Sequence, residues 1–160
     1  MATVVDRGDP ALSICYSVAV DGEDLGAFTT CEGLGCEVVL EQREEGGNNG
    51  FVWQLPSRIK YSNVKLTRPI CKDSANLTKW LAGFASGVKL RTATINARGS
   101  DGEIIASWSL DGVLPVRWSG PSLNPDSPKV AMETIELAHH GFLPGRVAGQ
   151  GATSGSGGQN

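Results

Sequence analysis

The chain repeats one pattern along most of its length. Apolar and polar residues alternate with a period of two, in runs separated by turn-forming residues, and this signature commits a chain to strands. From Ser13 to Val20 the residues Ile14, Tyr16, Val18 and Val20 fall on one side and Ser13, Cys15, Ser17 and Ala19 on the other. Asp21-Gly22 follows as a turn signal. Gly35 to Arg43 alternates next, setting Val38 and Leu40 against Glu37, Val39, Glu41 and Arg43. The stretch EEGGNNG at 44–50 predicts a long hairpin tip, because Gly and Asn adopt positive φ at little cost.

Beyond that tip, FVWQLP is an apolar burst ending at Pro56, and KYSNVKLTR at 60–68 is a second extended run with Val64, Leu66 and Arg68 on one face. Leu90–Arg98 and Glu103–Leu110 form a hairpin about the polar tip 99–102. Asp111-Gly112 reads as a further turn into VLPVRWSG, where Pro115 belongs at an edge or a bulge because it cannot donate to a ladder. Three prolines make 120–128 a connection. The last strand is VAMETIELAHHGF, 130–142, with Glu133, Ile135, Leu137 and His139 on one face and Met132, Thr134, Glu136, Ala138 and His140 on the other.

One segment breaks the rule. In 73–87, Leu77, Trp80, Leu81 and Phe84 recur at helical spacing, with Asp73 or Ser74 to cap the start and Gly87 the end. The expected architecture is a β-rich α+β fold, a β-sandwich or small barrel with one flanking helix. With 160 residues, 21 of them glycine, one domain is expected: an arm at 1–10, a folded unit at 11–143 and a Gly/Ser-rich tail at 144–160.

Scattered basic residues and a net charge of -3 give no footprint for nucleic acid. No apolar run approaches the roughly 20 residues of a membrane span, and MATVVDRGDP lacks the order of a signal peptide. Cytoplasmic synthesis and assembly is the expectation. Cys15, Cys31, Cys36 and Cys71 read as free thiols, with half a zinc site at Cys31/Cys36 or a disulfide bridge as the alternatives. No nucleophile motif or phosphate loop is present, and Glu41, Glu44, Glu45, Glu133 and Glu136 read as solvated carboxylates on polar strand faces. His139 and His140 sit on opposite faces of a strand, so each needs its own partners.

Three stretches taken together resemble a known family: EQREEGGNNGFVWQLPSRIKYSNVKLTR at 41–68, VLPV with WSGP at 118–121, and VAMETIELAHHGF. In this order, around one short helix, they are similar to the tail tube proteins of contractile phage tails and phage-like contractile injection systems, over about residues 10–143. Ser57 stands where Gly is more usual.

The resemblance implies a structural protein, not an enzyme, with no catalytic residue, metal or other cofactor. It implies hexameric rings, closed by long hairpins that join neighbouring subunits into a ring barrel and stacked into a hollow tube inside a contractile sheath, with sheath, baseplate and tail-terminator proteins as partners and effector cargo in the lumen. On that reading Gly46, Gly47, Asn48, Asn49, Phe51 and Trp53 are the inter-ring contact candidates, and Glu37, Glu41, Arg43 and Lys65 the lumen-lining candidates. Two rivals stand beside it: a type VI secretion-like ring protein, and a metal-dependent binding module built on Cys31, Cys36 and His139 or His140.

Overall fold

The computed structural model describes residues 15–44, 46–47, 50–126 and 129–144. The arm expected at 1–10, Asn48 and Asn49, and the tail after 144 lie outside them. β1 (Cys15–Val20) and β2 (Glu23–Phe28) form a hairpin whose turn residues, Asp21 at φ 49° and Gly22 at φ 84°, supply the two positive φ angles that match strand twist. Then come β3 (Thr30–Glu32), β4 (Cys36–Arg43), β5 (Trp53–Tyr61), β6 (Val64–Pro69), α1 (Ser74–Ala85), β7 (Arg91–Arg98), β8 (Ile104–Ser119), β9 (Met132–Ala138) and β10 (Gly141–Leu143). The alternating runs became strands and the 3.6-residue stripe became the helix.

Seven strands run in the order β2-β1-β7-β8-β9-β6-β3, with β10 also beside β8, and every neighbouring pair is antiparallel. The two edge strands, β2 and β3, are separated by Thr29 alone, whose N–H and hydroxyl both donate to the Thr67 carbonyl at 2.9 Å. The sheet is therefore open but curled, its two edge strands following each other in the chain without pairing. Inside it Val18, Phe28, Leu66, Ile95, Leu110, Ile135 and Leu137 are fully or almost fully buried, each contributing about 1.5–3 kcal/mol of transfer free energy. Leu77 and Trp80 of α1 complete this core, and Phe84 sets its ring edge against Trp80 at 5.3 Å.

Asp111-Gly112 does not turn. Residues 104–113 of β8 pair with β7 and 114–119 pair with β9, so the chain has no reason to reverse between them. Gly112, at φ 61°, bends the strand as it passes from one half of the sheet to the other. Pro115 sits at the bulge between Pro115 and Arg117, as its missing donor requires. Pro56 does not end a strand either: it lies inside β5 opposite Leu40, next to a bulge at Ser57. KYSNVKLTR is two strands, because Ser62 and Asn63 leave the ladder between β5 and β6. The helix begins after Asp73, which makes no side-chain cap bond; Ser74 Oγ accepts instead from the Cys71 N–H at 3.2 Å. At the other end Ser86 is the C-cap and Gly87 follows it, its N–H donating to the Phe84 carbonyl at 3.3 Å.

Glu133 corrects a further expectation, for it is buried and not solvated. Its Oε1 accepts from Arg68 Nε at 2.6 Å and Ser74 Oγ at 2.7 Å, and its Oε2 from Trp118 Nε1 at 3.5 Å. Arg68 in turn donates through Nη1 to the Leu25 carbonyl at 2.6 Å and lies 4.4 Å over the Phe28 ring. A charge taken from water is tolerated only when paired and hydrogen-bonded. This one ties β2, β6, β8, β9 and α1 together.

Candidate assembly surface

Among the described residues β4 and β5 pair only with each other, outside the main sheet. They nevertheless continue it. β3 pairs with β6 from Thr30↔Thr67 to Glu32↔Lys65, Ser62 N–H then donates to the Gly35 carbonyl at 3.4 Å, and Cys36↔Tyr61 starts the β4–β5 ladder. One ribbon thus leaves the sheet, kinked at Gly33–Gly35. Gly33 has φ 87°, and a Cβ there would meet the Asn63 carbonyl oxygen at 2.0 Å, so only glycine fits the kink.

His139 braces that kink. The strand ends at Ala138, and the His139 ring lies buried with Nε2 3.1 Å from the Ser62 carbonyl and Nδ1 3.3 Å from the Gly141 carbonyl. A neutral imidazole donates to one of these two acceptors at a time. Tyr61 and Phe142 flank the ring at 5.4 and 5.1 Å between centroids. His140 is exposed and lies over Gly112, not beside Glu136; the Glu136 carboxylate accepts instead from Asn63 Nδ2 at 2.9 Å. The alternation that assigned His140 to Glu136's face stops with the strand.

The β4–β5 ribbon has two unlike faces. Glu37, Val39, Glu41 and Arg43 stand opposite Lys60, Arg58, Leu55 and Trp53, while Val38, Leu40 and Gln42 stand opposite Ile59, Pro56 and Gln54. One face carries the charges and the other carries none. Val38, Leu40 and Ile59 on the uncharged face are 47 %, 50 % and 54 % exposed. Near the tip Phe51 and Trp53, also exposed, meet edge to face at 5.0 Å, and Gly46 and Gly47 form a turn. Ser57, at the bulge, donates its hydroxyl to Glu41 Oε1 at 3.2 Å.

Of the lumen-lining candidates, Glu37, Glu41 and Arg43 share the charged ribbon face, while Lys65 lies on β6 of the main sheet. Lys65 belongs with Arg117, Ser119, Thr134 and Glu136, which line one shallow polar trough. Sequence reasoning named Lys65 but missed Arg117 and Ser119, since the supposed turn at 111–112 hid that they continue β8.

The thiols do not converge. Cys31 is half-buried in β3, where burial and then the neighbouring Glu32 charge push its pKa up to about 11; Cys36 and Cys71 are exposed. Among the described residues no group of three or more His, Cys, Asp or Glu side chains could hold a metal ion. No helix among them is long and apolar enough to cross a membrane.

Solved structures share this fold. A chain of the sheath-tube complex of an extracellular contractile injection system, PVC, in its extended state superposes with a TM-score of 0.73 at 18 % identity, covering 89 % of this chain and 97 % of that one. A chain of the anti-feeding prophage (AFP) baseplate gives 0.70 at 22 % identity, covering 89 % and 96 %. Hcp1 from Salmonella typhimurium gives 0.51 at 17 % identity, covering 80 % and 83 %. No curated protein matches the sequence significantly. The family model for the T4-like virus tail tube protein gp19 matches residues 12–143, which span the curled sheet, the helix and the projecting ribbon, and the chain belongs to that tail tube protein family.

Proposed function

We propose that this tail tube subunit closes into hexameric rings that stack into a hollow tube inside a contractile sheath, and that the β4–β5 ribbon joins one ring to the next. The carrying observation is the ribbon itself. A two-stranded hairpin is marginal alone in water, and this one holds Val38, Leu40 and Ile59 half exposed on an uncharged face. Such a surface calls for a partner. Because the same contact repeats along an axis without closing, it builds a filament, while the lateral contact closes a ring.

In this reading Gly46, Gly47, Asn48, Asn49, Phe51 and Trp53 at the ribbon tip reach the neighbouring ring, Leu40 and Ile59 contact it from the uncharged face, and Glu37, Glu41, Arg43 and Lys65 face water in the lumen. The folded unit spans 11–143, flanked by an arm and a tail. The role is structural, without catalysis. The partners are sheath, baseplate and terminator proteins, with effector cargo in the lumen of a particle assembled in the cytoplasm and released.

Negative-stain imaging of the purified chain, alone and co-expressed with its sheath protein, tests the reading. Rings and sheathed tubes support it. Isolated rings that never enter the sheath favour the type VI-like alternative, and a monodisperse monomer at high concentration overturns both.

A further inference from the structure

Both ring nitrogens of His139 face backbone carbonyls, Nε2 at 3.1 Å from that of Ser62 and Nδ1 at 3.3 Å from that of Gly141. The two acceptors belong to different parts of the fold. Ser62 follows β5 at the base of the ribbon, whereas Gly141 opens β10, which is fastened to β8. A neutral imidazole carries one N–H, so it serves one carbonyl and turns a lone pair on the other, while an imidazolium carries two and serves both.

We propose that His139 is a proton-controlled brace of the ribbon, tying it to β10 through both carbonyls when the ring is charged and holding only one of them when it is neutral. The charged ring fixes the angle at which the ribbon leaves the sheet. Loss of the proton loosens the kink at 33–35, and a loose ribbon has more freedom to lose on meeting any partner. The inference concerns the single chain and does not rest on the ring reading above.

Three features support the brace. The His139 residue is 7 % exposed, so water does little to relieve a lone pair that faces a carbonyl. Ser62 also holds the kink from its other side, because its N–H donates to the Gly35 carbonyl at 3.4 Å where the β4–β5 ladder begins. Tyr61 from the ribbon and Phe142 from β10 flank the imidazole and stand 5.8 Å from each other, which keeps the ring between its two acceptors.

The other titratable groups on the elements packed around the ring are Tyr61 on β5, Cys36 opposite it on β4, Glu136 on β9 and Asp111 on β8, opposite Gly141. Among the described residues none of them forms an ion pair with the ring, and Glu136 accepts instead from Asn63. His140 lies over Gly112. Of all these groups the two imidazoles are the ones that ordinarily change charge between about pH 5 and 8.

The test reads the ribbon base and the ring separately, on the full chain, across that pH range. Hydrogen exchange at the Ser62 amide, corrected for the intrinsic effect of pH, should be about 5-fold better protected at the acid end, the worth of one hydrogen bond. His140→Gln should keep that gain and His139→Gln should lose it. Ring-nitrogen NMR spectra of the unsubstituted chain need no variant: both His139 nitrogens should carry protons at the acid end and one at the alkaline end. These results together support the proposal. A His139 ring that keeps the same number of protons throughout overturns it. So does a ring that titrates without changing Ser62 protection, or a pH gain that survives in His139→Gln. If His139→Gln fails to fold, the exchange and spectra of the unsubstituted chain decide.

Discussion

Arg68 and Glu133 are direct cross-strand partners on β6 and β9, Nε to Oε1 at 2.6 Å, and both side chains are almost completely buried. Removing one partner strands the other charge in the core. Arg68→Met should therefore cost about 3–5 kcal/mol in chemical denaturation of the unassembled chain, whereas Arg68→Met with Glu133→Leu should lose much less. Equal losses for the single and double variants would show that the pair is not coupled.

The same carboxylate sets an acid limit. Burial opposes its charge, but the Ser74 hydroxyl, the Arg68 guanidinium and the Trp118 indole together hold the Glu133 carboxyl below its ordinary value of 4.5. A depressed folded value means that the contribution is complete above the unfolded value and disappears as pH falls through the folded one. Melting temperature should decline below about pH 4.5, and Glu133→Gln, although less stable at neutral pH, should show a flatter decline. Parallel pH curves for the two proteins would exclude Glu133 as the titrating group.

On the ribbon the expectation is reversed. Leu40→Lys and Ile59→Lys change residues that are half exposed in the single chain, so unfolding should shift by no more than about 0.5 kcal/mol. Tube formation should nonetheless be lost in electron micrographs, as it should when 46–49 are deleted. Normal tubes from these variants would remove the ribbon from the inter-ring contact.

Gly112 bends β8 at φ 61°, and a Cβ there would meet His140 Nδ1 at 2.6 Å. Gly112→Ala should destabilise the chain by about 1–3 kcal/mol. His140→Ala in the same chain should recover the steric part and leave the backbone part. Full recovery would mean that the left-handed conformation costs nothing at this position.

Thiol reactivity should follow exposure. Cys36 and Cys71 are exposed, while burial and Glu32 push the Cys31 pKa up to about 11, so little reactive thiolate forms there at neutral pH. Timed alkylation read by mass spectrometry should label Cys36 and Cys71 first and Cys31 more slowly. Cys31 reacting as fast as Cys36 would contradict the half-burial of the Cys31 side chain.

Periodicity alone set Val18 with Val20, Leu66 with Val64, Ile135 with Leu137 and Leu77 with Trp80 on shared faces, and it put Arg68 with Val64 and Glu133 with Ile135 on the faces that proved buried. That much is local, because a strand fixes which side each residue takes and a helix fixes its stripe. Alternation does not say what the opposite strand brings. Arg68 and Glu133 stand 65 positions apart, and only the β6–β9 register makes them a pair that the core can hold. The paired histidines show the same division. Their separation onto different surroundings followed from sequence, but the bracing of the ribbon by His139 and the cover of Gly112 by His140 required the strand to end at Ala138. Asp111-Gly112 carries a turn signal and makes none, since whether such a dipeptide reverses the chain depends on which strands flank it. The sequence by itself determined the alternation, the helix and the family; the tertiary structure decided the partners, because register joins residues whose distance along the chain carries no signal of their contact.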